Sequence, residues 1–314
     1  MRKYFLALSI LLAACSSQTV GSFDADNSIR ILKTLSADDM RGRRTGSEGN
    51  AKARQFLKAE IAKHDVFDKR YDTTFTTKPR PNREGVIAPD APTYEAININ
   101  ALIDVDDNDE SPLLVITAHY DHLGERGGNI YNGADDNASG TAALFAIVQS
   151  FESNPPKHDV LFIWFDAEEM GLQGAQHFIS EKSFGKRAVF NLNLDMVSQS
   201  QKGEIYASGS YHTPALKPII SKAAKGTKLK LIFGNDSPAD GPNDWTLQSD
   251  HGPFHRAGLP FLYFGVEDHP HYHRPTDTFE TIPLEFYEKS LGLIVNAAHA
   301  LDDNLESLAE FATP

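Results

Sequence analysis

The sequence has only one cysteine, Cys15, among its 314 residues. A single cysteine excludes an internal disulfide. Because Cys15 also lies ahead of the domain described below, that domain has no thiolate to serve as nucleophile or metal ligand. Any metal site in that domain must therefore use imidazole and carboxylate groups.

Basic residues are also scarce. Lysine and arginine number 30 against 43 acidic residues, which gives a formal net charge of −13. Removal of Arg2 and Lys3 with the leader would leave 28 basic against 43 acidic residues, a net charge of about −15. This balance argues against a nucleic-acid partner, because phosphate binding needs clustered positive charge. It favours solubility and a mild attraction for cationic ligands.

The sequence also lacks an apolar stretch long enough to span a bilayer as a helix. Its N-terminus instead has the three parts of a secretory signal: the basic pair Arg2 and Lys3, a short apolar run over residues 4–12, and small residues before Cys15. The residues Leu-Ala-Ala-Cys at 12–15 resemble the lipobox of bacterial lipoproteins. The alternative is an ordinary signal peptide with an incidental cysteine.

These signals predict how the chain is organised. We expect a signal peptide over residues 1–14, a polar tether over 15–27 that is lipidated at Cys15, and a single domain over 28–314. Ser16 and Ser17 follow the cysteine without the aspartate that often retains lipoproteins at the inner membrane. We therefore predict an exported bacterial lipoprotein in the periplasm, anchored to the outer membrane.

Short apolar segments alternate with helical patterns over the rest of the chain. Nearly continuous apolar strands between helices predict an α/β fold, with three α/β/α layers and a mixed, mostly parallel central sheet. A proline-rich loop is expected over residues 75–95. Strands are expected at 97–105, 113–116, 160–165, 188–194, 228–233 and 260–266, and helices at 50–64 and around 144–151 and 291–301.

Four of the predicted strands run directly into side chains that bind metals. In such sheets, ligand-binding and catalytic sites lie beyond the carboxyl ends of the strands. Neighbouring carboxylates repel unless a cation lies between them, so the set predicts a bound metal. At the four strand ends these are His119, Asp121 and His122; Asp166, Glu168 and Glu169; Asp195; and His269, His271 and His273. Asp135 and Asp136 lie between the first two of these strands, just before a predicted helix.

The ligand types indicate which metal to expect. Imidazole and carboxylate without thiolate suit zinc, with manganese or cobalt as weaker candidates. Calcium is disfavoured because histidine is a poor ligand for a hard cation. Helix capping and solvated loops would explain several of the acids singly, but a cap needs one acid rather than a set.

The spacing within two pairs of residues suggests that the members of each pair have different roles. In His119-x-Asp121 the two side chains point the same way on an extended segment. His119 can therefore bind the metal while Asp121 orients a neighbouring side chain. Glu168 and Glu169 are adjacent and point in different directions. One can bind metal while the other serves as general base for hydrolysis.

The motifs AHYDHLG, GADDNASG, DAEEMGLQGA, NLDM, SDHGPF and HYHRPTDT occur in this order along the chain. In kind and order they resemble the di-zinc exopeptidases of the aminopeptidase Y and bacterial leucyl aminopeptidase type, of clan MH. The segment LSADDMRGRRTGSEGNAKARQFL at 35–57 is similar to the family's N-terminal helical segment. The resemblance extends over residues 30–300 and implies the zinc exopeptidase fold, of the phosphorylase/hydrolase-like type.

The resemblance also implies roles for individual residues. Glu168 matches the general base, and Asp121 matches the acid that orients His119. The family often has a cis peptide bond at the position of Asp136 and Asn137. Five residues match the ligands of two zinc ions: His119 and Asp195 on one, Glu169 and His273 on the other, and Asp136 bridging both.

The activity implied by this resemblance is removal of N-terminal residues from peptides with a free N-terminus. Water activated between two zinc ions would attack the scissile carbonyl, with Glu168 taking its proton and returning it to the leaving amine. Three alternatives remain open at this point. They are a glutaminyl cyclase-like enzyme with a single working zinc, a carboxypeptidase of the same clan, and a non-catalytic zinc- or peptide-binding lipoprotein.

Several nearby residues have no single interpretation. Asp277 is expected to cap or orient the loop that carries His273, and Trp245 is as readily packed as substrate-facing. The preferred N-terminal residue and the oligomeric state also stay open, because pocket walls come from loops that sequence does not place. A site role is undecided for His122, Asp250 and His251.

Overall fold

The computed structural model describes residues 21–80, 87–105, 110–182 and 184–312. The predicted signal peptide, Cys15 and the first part of the predicted tether lie outside the described residues. The first helix begins at Ala25, with Asp24 accepting a capping hydrogen bond from the Asp26 N–H. The end of the predicted tether is therefore part of a helix, and a residue of the tether caps that helix.

The described residues form helices and strands that alternate along most of the chain. Among these helices, none is both long and apolar enough to cross a bilayer. The helices are α1 (Ala25–Leu35), α2 (Glu48–Ile61), α3 (Gly140–Ser153), α4 (Gln173–Glu181), α5 (Leu216–Ala223), α6 (His251–Arg256), α7 (Leu284–Asp303) and α8 (Leu305–Ala309). The strands are β1 (Lys69–Thr77), β2 (Tyr94–Ile103), β3 (Leu113–His119), β4 (Gly124–Arg126), β5 (Asn129–Tyr131), β6 (Asp159–Phe165), β7 (Val189–Leu194), β8 (Glu204–Ser208), β9 (Lys230–Phe233) and β10 (Phe261–Gly265).

Eight of these strands form one sheet in the order β1-β2-β6-β3-β7-β10-β8-β9. The four central strands β6, β3, β7 and β10 run parallel to one another. Antiparallel pairs occur on both sides of this centre, where β2 pairs with β1 and β6, and β8 pairs with β10. The predicted mixed, mostly parallel sheet is confirmed.

Each face of the sheet carries its own apolar core. Successive side chains of β3 alternate between them, because neighbours in a strand point to opposite faces. Ile116 packs in the core that includes Ile294 of α7, whereas Val115 packs with Phe178 of α4 and Phe254 of α6. Helices therefore cover both faces, which confirms the three-layer arrangement. It also explains why β3, β6 and β7 are buried at every position and appear as continuous apolar runs.

Four strands were not predicted. β4 and β5 form a separate two-stranded sheet, and β1 and β8 lie near the edges of the main sheet. β1 has the sequence KRYDTTFTT and is exposed over most of its length, so its polar composition hides the extended backbone. It replaces the first part of the loop expected over residues 75–95. β8, with only five residues, is too short to show a clear pattern. Edge strands give a weaker signal because only part of their surface is buried.

Candidate active site

The four parallel strands end side by side at one edge of the sheet. β3 ends at His119, and β6 leads into the turn that carries Glu168 and Glu169. β7 leads to Asp195, and β10 leads into the loop that carries His273. Parallel strand order thus converts four separated sequence motifs into one cluster of side chains.

One group of ligand-type atoms contains His119, Asp136 and Asp195. His119 Nε2 lies 3.3 Å from Asp195 Oδ1 and 3.5 Å from Asp136 Oδ1. The other ring nitrogen, Nδ1, donates to the backbone carbonyl of Asp121 at 3.1 Å. That hydrogen bond fixes the tautomer and leaves the lone pair of Nε2 facing the two carboxylates. The three atoms lie within 4.8 Å of one another, close enough to share one cation.

A second group surrounds the other oxygen of Asp136. Asp136 Oδ2 lies 3.0 Å from His273 Nε2 and 3.6 Å from His122 Nδ1. Glu169 Oε1 lies 2.8 Å from His122 Nδ1 and 3.6 Å from His273 Nε2. Asp136 therefore presents one oxygen to each group, which is the arrangement of a bridging carboxylate.

His122, whose role was left open, lies inside this second group. Its side chain is 0% exposed, and neither ring nitrogen makes a hydrogen bond within the described residues. Glu169 Oε1 lies close to His122 Nδ1 but also has no hydrogen bond. The two atoms are therefore near each other in a geometry that does not form a hydrogen bond. Buried polar atoms rarely stay unpartnered. A cation between imidazole and carboxylate would satisfy both.

Asp121 holds both the histidine of β3 and the turn after β6. Its carboxylate accepts the Glu168 N–H at 3.0 Å and the Glu169 N–H at 3.3 Å. Its Oδ1 also lies 3.6 Å from His119 Nδ1. Ala167 turns the chain just before the two glutamates, with a φ of 61°. Through this turn Glu169 faces His122, while Glu168 interacts electrostatically with His119.

Burial and crowding shift the pKa values of these acids in opposite directions. Burial raises the pKa of Glu168 well above its usual range, with His119 opposing the shift and Glu169 reinforcing it. Burial likewise raises the pKa of Asp136. Burial acts to raise the pKa of Glu169 too, but the nearby imidazoles of His122 and His273 outweigh it and hold that pKa well below the usual range. Carboxylates this crowded are stabilised by positive charge between them.

Asp277 holds the backbone of the turn that carries Asp136. Its carboxylate accepts the Asp135 N–H at 3.0 Å and the Asp136 N–H at 3.1 Å. Asp277 was predicted to cap or orient the loop that carries His273. Because Asp277 belongs to that loop, its carboxylate ties the loop to the turn at Ala134–Ser139, whose two neighbouring N–H groups it accepts.

The peptide bond between Asp136 and Asn137 is cis, as the resemblance implied. Asn137 Nδ2 donates to the backbone carbonyl of Leu194 at 2.9 Å. This contact ties the turn to the end of β7, one residue before Asp195.

Arg43 is a site-supporting residue that sequence reasoning missed. Its buried guanidinium donates to the backbone carbonyls of Leu35, Tyr120, Asn132 and Gly133 at 2.6–2.9 Å. Burial lowers the pKa of this group to about 10, although neighbouring acids raise it. The cluster of arginines in RGRRTG was a possible signal, but the carbonyls that Arg43 binds lie on distant segments.

Asp166 does not join the ligand groups, although it follows β6 as Glu168 and Glu169 do. Its carboxylate accepts hydrogen bonds at 2.8–3.0 Å from Thr45, Asn50, Tyr120 and the Ile97 N–H. Burial, with the charge of Asp121, raises its pKa to about 7. Asp166 therefore joins the segment around α2 to the sheet.

The three residues of the SDH motif at 249–251 have different surroundings. Ser249 Oγ donates to Asp195 Oδ2 at 2.7 Å and so orients a ligand-type acid, a role that was not predicted. Asp250 is fully buried with both carboxylate oxygens unpartnered in the described residues, and burial raises its pKa to about 8. His251 Nε2 lies 2.9 Å from the carbonyl of Trp245, and burial lowers its pKa to about 4. His251 is thus a packed, neutral residue.

Three further residues lie outside the ligand groups. Trp245 packs edge-on against Tyr263. His269 Nε2 pairs with Asp135 at 3.0 Å, and His271 Nδ1 lies 3.0 Å from Thr276 Oγ1. Each of these three contacts is structural.

The chemistry of the two groups fits divalent metal ions of zinc's type. They offer only nitrogen and carboxylate oxygen, and they meet at two points that share Asp136. The unpartnered atoms of His122 and Glu169 lie where one of the two ions would be. Without positive charge there, the buried acids would repel one another.

Comparison with known proteins gives a family match. Residues 98–298 match the model of "Peptidase family M28". The chain is 31% identical over 198 residues to "Aminopeptidase YwaD" of Bacillus subtilis, which covers 60% of this chain and 40% of that relative. It is 29% identical over 201 residues to a "Probable leucine aminopeptidase" of Trichophyton verrucosum, covering 60% of this chain and 54% of the relative. The chain therefore spans about half the length of these relatives.

Solved structures share the fold. A zinc aminopeptidase from Bacillus subtilis superposes with a TM-score of 0.71 at 18% identity, over 88% of this chain and 94% of that one. A glutaminyl cyclase from Bacteroides thetaiotaomicron superposes with a TM-score of 0.65 at 17% identity, over 89% of this chain and 98% of that one. At these identities the likeness concerns the fold, which both kinds of enzyme have in common.

Proposed function

The chain belongs to peptidase family M28, and from that membership we propose that it is a zinc aminopeptidase that removes N-terminal residues from peptides. One observation carries the proposal, namely that Asp136 directs its two oxygens at two separate sets of ligand-type atoms. A site for two ions that share a carboxylate suits hydrolysis of a peptide bond. The aminopeptidase names of the curated relatives support the same activity.

We propose that the protein binds two zinc ions. His119 and Asp195 would hold one, and Glu169 and His273 would hold the other, with Asp136 shared between them. When bound, zinc supplies a Lewis acid that polarises a carbonyl and lowers the pKa of water. The number of ions is part of the proposal, and it is supported by the two groups of atoms that meet at Asp136.

The residues around the ligands have distinct tasks in this proposal. Glu168 takes the proton of the attacking water and delivers it to the leaving amine, since no hydrogen bond from the described residues occupies its carboxylate. Asp121 positions Glu168 through its backbone N–H and positions His119 through its ring. Ser249 keeps Asp195 oriented. These supports fix the general base relative to the ligands before substrate arrives.

A glutaminyl cyclase is the second candidate, because such enzymes share the fold. That activity would need a single working zinc. The second set of atoms, with buried and unpartnered His122 and Glu169, favours the two-ion enzyme. A non-catalytic binding protein is disfavoured by membership in a peptidase family.

The experiment that tests the function combines zinc analysis with a substrate screen. Peptides and aminoacyl-coumarins with free or blocked N-termini, including one with N-terminal glutamine, are incubated with the purified protein, with and without chelator. We expect stepwise release of N-terminal residues, loss of activity with chelator, recovery with zinc, and about two zinc ions per chain. Cleavage of blocked peptides only would refute the aminopeptidase, and cyclisation of glutamine with one zinc would establish the cyclase.

The cellular location is a separate proposal. We propose that the protein is exported and anchored to the outer membrane through a lipid on Cys15, because its N-terminus has a lipobox-like sequence. Labelling with a radioactive fatty acid and fractionation of the membranes test it. We expect label and membrane association in the wild type and neither in Cys15→Ser. Equal membrane association of both proteins would refute the anchor.

A further inference from the structure

A cavity of about 180 Å³ lies beside the proposed metal ligands and has no role in the mechanism above. Arg44, Arg80 and Arg126 line it together with His122 and Glu169. The three arginines come from separate parts of the chain, so only the fold brings them to one cavity. We call this the arginine cavity.

Some arginines of this acidic chain are paired with a carboxylate, which offsets their charge. Arg41 pairs with both Glu48 and Glu125, and Arg187 pairs with Asp159 at 2.8 Å. Across residues 21–80, 87–105, 110–182 and 184–312, in contrast, no ion pair forms with any of the three arginines of the cavity. In a chain with a net charge of −13, three unpaired guanidinium groups at one place are a concentrated positive patch.

The acids at the base of the cavity are engaged elsewhere. Asp121 accepts hydrogen bonds from the N–H groups of Glu168 and Glu169 and from Thr45. Glu169 faces His122, at 2.8 Å. Three arginines face these two carboxylates in the wall, so the cavity keeps a net positive charge.

Aromatic rings hold two of the three arginines in place. The guanidinium of Arg44 lies over the ring of Tyr94, and that of Arg126 lies over the ring of Tyr131, each at 5.7 Å from the ring centre. Stacking uses the face of a guanidinium and leaves the N–H groups of its edge free to bind an anion. Such pre-positioned donors suit the planar, two-oxygen geometry of a carboxylate.

We propose that the arginine cavity binds a carboxylate of the peptide substrate while the peptide bond lies at the metal ligands. This inference rests on the proposed aminopeptidase function and names its preferred substrates, which are peptides with an anionic group near the N-terminus. The carboxylate comes either from an acidic N-terminal side chain or from the C-terminus of a very short peptide. Both sources present the same group to the arginines.

Matched substrates distinguish these sources. The first pair is Asp-Ala-Ala amide and Asn-Ala-Ala amide, and the second is Leu-Ala with a free carboxylate and Leu-Ala amide. The values of kcat/KM are measured with zinc-loaded wild type and with Arg44→Gln, Arg80→Gln and Arg126→Gln. Arg256→Gln is the control, because Arg256 is an exposed arginine that does not line the cavity.

We expect the wild type to prefer the anionic member of at least one pair. At least two of the three cavity variants should lose about tenfold in kcat/KM for that member, since a hydrogen bond to a charged group is worth about 1.5–3 kcal/mol. The same variants and Arg256→Gln should leave Asn-Ala-Ala amide and Leu-Ala amide unchanged. Loss in the first pair identifies the side chain as the source, and loss in the second identifies the C-terminus.

Equal kcat/KM within both pairs, or variants that slow neutral and anionic peptides alike, would overturn the inference while leaving the aminopeptidase standing. Calorimetric binding of the same four peptides to zinc-loaded Glu168→Gln gives a readout without turnover. It should show the anionic preference and its loss on arginine substitution. No such preference in binding overturns the inference even if no peptide is hydrolysed.

Discussion

At the scale of single residues, the adjacent acids Glu168 and Glu169 differ because of what surrounds each. Glu169 faces two imidazoles, His122 at 2.8 Å and His273 at 3.6 Å, which hold its pKa low. Burial raises the pKa of Glu168, and the His119 imidazole only partly opposes that rise. A permanently ionised carboxylate suits a ligand, whereas one that can gain a proton suits a general base.

The clearest test at this scale is Glu168→Gln. The amide keeps the shape of the side chain but cannot accept a proton, so kcat should fall by about 10²–10⁴-fold. Zinc content should stay at the wild-type value, because the residue is not a proposed ligand. The measurement is kcat on a Leu-coumarin substrate with zinc analysis of the same sample. Turnover equal to the wild type would remove Glu168 from the mechanism.

His122→Asn tests whether the buried imidazole belongs to the metal site. With both ring nitrogens unpartnered and Glu169 adjacent, its loss should weaken binding of one zinc by roughly 10–100-fold and leave the other unchanged. Calorimetric titration of the metal-free protein with zinc measures both steps. Two unchanged binding steps would make His122 a packing residue. His251→Asn, which replaces a buried imidazole outside the ligand groups, is the matched control.

At the scale of elements, the site depends on hydrogen bonds between segments rather than on any helix or strand by itself. Asp121, after β3, holds the turn after β6. Asp277, after β10, holds the turn before α3. Arg43, before α2, donates to the Tyr120 carbonyl next to Asp121 and to the Gly133 carbonyl just before the turn that precedes α3. Each of these charged side chains forms hydrogen bonds to a segment other than its own. Charge-assisted hydrogen bonds at the strand ends therefore position the proposed ligands.

Asp277→Asn tests whether these hydrogen bonds between segments position the site. The substitution removes the negative charge that accepts the Asp135 and Asp136 N–H groups, so Asp136 should be less well positioned. We expect zinc affinity and kcat/KM to fall roughly tenfold. Calorimetric titration with zinc and steady-state kinetics measure the effect.

Asp302→Asn is the matched control for this substitution. Asp302 also accepts two backbone N–H groups, of Lys157 and His158, at 2.8 and 3.1 Å, and it is not part of the ligand groups. It should lower stability to denaturant while sparing zinc affinity. If both variants lower zinc affinity equally, Asp277 acts only through general stability.

At the scale of the whole molecule, the two apolar cores and the buried acid cluster act in opposite directions. Packing on both faces of the sheet stabilises the fold without metal. The cluster at the strand ends places several carboxylates in a buried volume, which costs free energy unless positive charge is present. We therefore expect the chain to fold without zinc and to gain stability when zinc binds.

Removal of metal should thus lower the melting temperature without unfolding the protein. At free zinc near 1,000 times Kd, binding contributes about 4 kcal/mol, which corresponds to roughly 10 °C for a domain of this size. Circular dichroism during heating, with zinc and with chelator, measures the shift. The far-ultraviolet spectrum at 25 °C should be the same in both. An unchanged melting temperature would show that the acids are stable without a cation.

Much of this organisation is decided by local sequence. The central strands are recognisable because burial on both faces demands continuous apolar runs such as that before Asp166. The proposed ligands are recognisable because imidazole and carboxylate follow those strands directly, at His119, Glu169 and Asp195. Parallel strands must end at the same edge of a sheet, so the location of the cluster also follows. The polar edge strand β1 escaped detection because its sequence lacks that burial signal.

The tertiary structure alone decided which atoms face one another. That His122 lies 2.8 Å from Glu169, that Asp277 holds the turn of Asp136, and that Arg43 binds four carbonyls are facts about segments far apart in the chain. No local pattern encodes them, because a side chain of given type can serve as ligand, support or packing residue. The choice depends on distances of a few ångströms, which packing fixes only once the whole domain has folded.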